Sequence, residues 1–227
     1  MSSSDDANGD EQLEPYELLT STRYDPFLRS QRWNYDRDGS SSFFLLPYHY
    51  ARLEEAIRLH RWQIASFSYH RLKSECKAAV AAAIAASADE GVDPATAMKY
   101  RRSSATPTLA AYFQPTDDPA LLEPALRLCV DSEPTRKSLF TTTKTTKRAG
   151  YEAARERAGI RPGELADVLL YNEDGALTEA SISNVAFFRD SYWVTPPLST
   201  GCLPGVLRAW LLKQGRIRRG HPRHCEG

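Results

Sequence analysis

LTEASISNVAFFRDSYWVTPPLSTGCLPGVLRAW, residues 177–210, is the stretch whose reading decides the fold. It opens on a short β-favouring run that ends near Glu179, continues through a second run containing Phe187, turns at Arg189–Ser191, and starts a third at Tyr192. Leu203-Pro204-Gly205 then delivers the chain into an apolar helical segment. The first turn of a helix has backbone N–H groups without intrahelical partners and the positive end of the dipole. Gly205, Val206 and Leu207 therefore stand where an anion can be held.

Working outward, residues 167–194 read as an antiparallel meander with its first turn at Asn172–Gly175. Upstream, SLFTTTKTTKRAGYEAARERAGI begins with four β-favouring residues, Phe140–Thr143, and passes into a helical run over about 145–158. Lys144 stands at that switch, with Lys147 and Arg148 as solvated neighbours. Leu126–Val130 reads as a strand. Taken alone, Glu179 is as easily a strand-edge acid and Lys144 as easily a surface lysine, because both residue types are mostly exposed.

Before these comes a helical pattern, Leu53, Ala56, Ile57, His60 and Ile64, that begins near Tyr48 and buries that face. Arg52 lies in its first turn within PYHYARL, where the plain alternative is a wet pair with Glu54 or Glu55. YELLTSTRYDPFL reads as a short strand running into a turn at Asp25-Pro26, residues 30–42 as a polar loop, residues 71–88 as an alanine-rich helix and TPTLAAYF as a further strand. The turn-rich QPTDDP, 114–119, marks a boundary between two lobes.

The 227 residues carry 29 basic and 29 acidic side chains, and that balance gives no reason to invoke nucleic acid or an anionic membrane as partner. The longest apolar stretch, Ala78–Ala86, is far short of the ~20 residues that cross a bilayer. The first residues have neither the basic end nor the apolar segment of a secretory signal. Four scattered cysteines without a CxxC pair read as reduced thiols, so the cytoplasm is the expected location and no metal is assigned.

In order and spacing, TEASISNVAFF, VTPP and LPGVLR, with the weaker FTTTKTT and HYARL, closely resemble the fold-type IV family of pyridoxal phosphate enzymes. That family contains branched-chain and D-amino-acid aminotransferases and aminodeoxychorismate lyase, and the resemblance runs from about Leu18 to Ile217. It implies an α+β, two-lobed fold, with a smaller N-terminal α/β lobe over 15–118 and a cofactor-binding lobe with antiparallel strands over 119–215. It also implies pyridoxal 5'-phosphate as cofactor, a small-molecule amino substrate and a homodimer.

The family's roles fall on matching positions. Lys144 would bond the cofactor and carry protons, since lysine can be nucleophile, base and acid in turn. Glu179 would keep the pyridine nitrogen protonated. Arg52 and the helix start at Gly205, Val206 and Leu207 would hold the phosphate. Leu207 replaces the threonine of many relatives, which removes a hydroxyl contact. Tyr151, seven residues after Lys144, is a candidate donor to the cofactor's ring oxygen, at a spacing unlike that of the aminotransferases.

YELLTSTRYDP and KTTKRAGYEAAR look most like the fungal-type aminodeoxychorismate lyases, which convert 4-amino-4-deoxychorismate to 4-aminobenzoate and pyruvate on the way to folate. A class IV aminotransferase acting on branched-chain or D-amino acids is the alternative. Residues 1–14 carry five acids and no base and read as a disordered tail, and residues 216–227 as an irregular basic tail that cannot add a buried strand. Because relatives continue through another helix, strand and loop, a truncated and inactive remnant is the further alternative.

Overall fold

A computed structural model describes residues 15–89 and 126–221. The acidic tail, the strand expected over Thr106–Phe113 and the lobe boundary at 114–119 lie outside the described residues. Among these, no helix is long and apolar enough to cross a membrane.

A 3-10 turn, Pro26–Ser30, follows Asp25, whose carboxylate accepts from the Phe27 amide. The polar loop contains a two-residue hairpin, β1 (Tyr35–Asp36) and β2 (Gly39–Ser40). Helix α1 spans Leu46–Leu59 and starts two residues earlier than expected, behind Leu45 at φ 48°. That left-handed conformation is costly for leucine. Buried Asn34 holds it: its Oδ1 accepts from the Leu45 amide at 2.8 Å, and its Nδ2 donates to the carbonyls of Ser41 and Phe43. Helix α2 spans Tyr69–Asp89 and packs on α1 through Tyr50, Phe67 and Tyr69.

In the second half, strand β3 (Arg127–Val130) runs parallel to β4 (Ala166–Tyr171). Parallel neighbours need a crossover. It contains α3 (Leu139–Thr142), Lys144 and α4 (Ala149–Arg157). β5 (Leu177–Ala180) completes this sheet antiparallel to β4. β6 (Phe187–Arg189) and β7 (Tyr192–Thr195) form a second hairpin, turned at Asp190 and Ser191 with positive φ. β8 (Ile217–Arg219) joins β7 in parallel, with α5 (Val206–Lys213) as its crossover.

Three expectations are corrected. Phe140–Thr143 is not a strand: Ser138 and Thr141 form a reciprocal capping box, and the Thr142 and Thr143 hydroxyls donate back to the carbonyls of Ser138 and Leu139. These bonds outweigh the β-preference of threonine. Residues 216–227 are not irregular throughout, because Ile217–Arg219 pairs with β7 and Ile217 is 3 % exposed. One aliphatic side chain suffices there, as it joins the existing cluster of Leu45, Val206, Trp210 and Leu211. The meander is two hairpins in two sheets, divided at Ser181–Asn184.

Candidate active site

Lys144 is half-buried in the extended link between α3 and α4. Its carbonyl accepts from the Leu19 amide at 2.7 Å, within an antiparallel bridge between Leu18 and Thr145. Burial lowers the pKa of its amine, and the charges of Arg148 and Arg52 lower it further, while Glu179 acts in the opposite sense. Arg52, Arg148 and Glu179 are thus near enough for each charge to act on Lys144.

Glu179 is 4 % exposed on β5. Its Oε1 accepts from the Tyr151 hydroxyl at 2.9 Å, and its Oε2 from the Leu203 amide at 3.1 Å and Asn184 Nδ2 at 3.3 Å. Burial pushes its pKa up to about 7 in spite of those donors and the charges of Lys144 and Arg148. Such a carboxyl is ready to be an anion beside a cation that enters the site, since a partnering charge reverses the burial effect.

Arg52 lies in the second turn of α1, half-buried. Its Nη2 donates to Thr20 Oγ1 at 2.8 Å, and that oxygen also meets His49 Nδ1 at 2.6 Å. Its buried Nε has no hydrogen-bond partner among the described residues. An unmatched guanidinium donor fits a phosphate, which offers several acceptors to a planar fork. A cavity of about 180 Å³ is lined by Arg52, Ala56, Leu59, Thr143, Cys202 and Pro204, among others. Lys144 and Glu179 are not in its wall, which reaches their cluster through Arg52, Thr143 and Cys202.

Gly205 caps α5 without a side-chain bond. Its amide donates to the Leu203 carbonyl at 2.8 Å, so it is not the free donor that the sequence led us to expect. The glycine is required for another reason: a Cβ there would lie 1.7 Å from Asn184 Oδ1. Val206 and Leu207 are the first two helical residues, where amides lack intrahelical acceptors. Tyr151 also takes a different part from the one expected, because its hydroxyl is given to Glu179.

Two contributors were not singled out as site residues. Asn184 joins Glu179 to the Leu203 carbonyl, to which its Nδ2 donates at 2.9 Å. Arg148 lies over the Tyr151 ring, 4.9 Å from its centroid, and donates to the Ser181 carbonyl at 2.8 Å. Only its place four residues after Lys144 could have singled it out.

Residues 32–220 match the model of the family described as amino-transferase class IV. The chain belongs to that family. Class IV enzymes use pyridoxal phosphate, and the carboxyl, amine and unmatched guanidinium described above fit such a group chemically. A class IV relative from Schizosaccharomyces pombe, named as a candidate aminodeoxychorismate lyase, is 44% identical over 92 residues, covering 40% of each chain. The aminodeoxychorismate lyase of Saccharomyces cerevisiae is 38% identical over 40% of this chain and 29% of its own. These matches therefore span well under half of either relative. A Mesorhizobium loti structure, titled as a candidate amino-acid aminotransferase, shares the class IV fold with TM-score 0.55 and 24% identity, covering 92% of this chain and 88% of that one.

Proposed function

We propose that this class IV chain is a pyridoxal phosphate-dependent lyase that converts 4-amino-4-deoxychorismate to 4-aminobenzoate and pyruvate in the cytoplasm, as a homodimer. The 44% identity to the fission-yeast relative carries the reading. When bound, the cofactor would supply an electron-accepting ring.

In this reading Lys144 would hold the cofactor and carry the substrate proton at its Nζ. The burial and the Arg148 and Arg52 charges that lower its pKa favour the neutral amine that both tasks need. Glu179 would keep a proton on the ring nitrogen, with Tyr151, Asn184 and the Leu203 amide fixing the orientation of the carboxylate. Arg52, through its unmatched Nε, and the amides of Val206 and Leu207 would hold the phosphate.

The test is to load the protein with pyridoxal phosphate, add 4-amino-4-deoxychorismate and measure 4-aminobenzoate and pyruvate, which should appear in equal amounts. Amino exchange dependent on 2-oxoglutarate, without 4-aminobenzoate, would sink the lyase reading in favour of an aminotransferase.

A further inference from the structure

The segment that carries Lys144 is fixed on two sides. On one, Leu18 bridges Thr145, the Thr146 amide donates to the Glu17 carbonyl at 3.0 Å, and the Glu17 amide donates to Thr146 Oγ1 at 2.9 Å. On the other, Thr143 Oγ1 meets His60 Nε2 at 2.7 Å, and His60 Nδ1 meets the Tyr16 hydroxyl at 2.8 Å. His60 is the residue that closes α1, the helix of Arg52. Read from the sequence as one member of a packing face, it is in fact the centre of a polar chain.

Counting hydrogens assigns the direction of each bond. Thr143 Oγ1 gives its single hydrogen to the Leu139 carbonyl at 2.6 Å, so toward His60 it can only accept. His60 Nε2 must therefore carry the ring hydrogen. In the neutral ring Nδ1 is then an acceptor, and Tyr16 donates to it. With the Thr143 hydrogen on the Leu139 carbonyl, both nitrogens are satisfied by the neutral Nε2–H tautomer. Burial also lowers the pKa of His60, in the same sense. The rings of Tyr16, Trp62 and Phe140 enclose the imidazole, with centroids 5.3, 6.0 and 5.9 Å away.

We propose that His60 is a positioning residue for Lys144: the chain Tyr16–His60–Thr143 ties the residue before the lysine to the end of Arg52's helix, and so fixes the amine relative to the guanidinium. Its catalytic meaning rests on the reading of Lys144 given above, whereas the tether itself is a property of the protein alone. A histidine kept for bulk would tolerate leucine. A tether needs a donor at Nε2, which the amide of glutamine supplies at a similar reach.

Three measurements test this. Nitrogen-15 NMR of the wild-type imidazole should show the Nε2–H tautomer, and the Nδ1–H tautomer would overturn the assignment even if no variant folds. Hydrogen exchange of the Leu19 amide, which is bonded to the Lys144 carbonyl, should quicken about ten-fold in His60→Leu and return to within about two-fold of wild type in His60→Gln. Equal rates in wild type and His60→Leu, or no recovery in His60→Gln, would refute the tether. Attachment of pyridoxal phosphate to Lys144, trapped by borohydride and located by mass, should be slowed in His60→Leu and return toward the wild-type rate in His60→Gln. Wild-type protein that attaches no cofactor at Lys144 would overturn the functional reading, while the tautomer and the exchange rates would still decide the tether.

Discussion

Replacing Glu179 with glutamine should change how the stability of the cofactor-free protein depends on pH. The folded carboxyl has its pKa pushed from 4.5 to about 7 by burial. Because the folded value is raised, the stability attached to this group is complete below pH 4.5, and it is lost as pH rises through about 7. The gap of about 2.5, at about 1.36 kcal/mol for each, amounts to about 3 kcal/mol at pH 8.5. Glutamine has no charge to lose. Urea unfolding of the two proteins should therefore agree near pH 4.5 and diverge above it, with E179Q the more stable by on the order of 1 M in midpoint at pH 8.5. Loading with pyridoxal phosphate should reduce the divergence, since a ring cation beside Glu179 favours its anion. Parallel curves for the two proteins from pH 4.5 to 8.5 would refute the account of Glu179 as a buried, raised carboxyl.

Tyr151→Phe removes a bond to the Glu179 anion, so the carboxyl pKa should rise further above about 7, read by carbon-13 NMR of labelled glutamate. Lys144→Ala should abolish the imine absorbance that wild-type protein gives with pyridoxal phosphate, while the far-ultraviolet dichroism is unchanged. Gly205→Ala drives a methyl into Asn184 and should cost about 1–3 kcal/mol in chemical unfolding, most of it recovered when Asn184 is also made alanine. Asp131→Ala breaks a two-pronged pair, Arg157 Nε to Oδ1 at 2.9 Å and Nη2 to Oδ2 at 2.7 Å, which ties the end of β3 to α4. Its cost should be about 1–3 kcal/mol, with no effect on cofactor affinity.

The parts of this fold legible in the sequence are those where one local rule acts alone. The turn at 172–175 and the start of α5 after Gly205 fall in this class, as do the strand at 127–130 and the long helix from Tyr69. Local preference failed where it met a competing local bond or a distant partner. Thr141–Thr143 look like strand residues until Ser138 caps them into a helical turn. Ile217 looks too isolated for a strand until β7 and the cluster around Trp210 are present to receive it. In the candidate site, Lys144, Arg52 and Glu179 are legible through the family resemblance, and the structure places the charges of Arg52 and Glu179 within reach of Lys144. Asn184, Arg148 and His60 act through contacts 5, 33 and 83 residues away in the chain, and no spacing rule points to such partners.

The close approach of Asn184 to Gly205 has a further consequence. One side chain touches the carboxylate of Glu179, holds the Leu203 carbonyl and abuts the residue that opens α5. The amide of Asn184 thus spans from the acid to the helix start, as a lever spans its two ends. Two small molecules offered separately, pyridoxal without its phosphate and free phosphate, should consequently help each other to bind, each raising the affinity of the other by the same factor. Shortening the lever to alanine should leave the two as strangers.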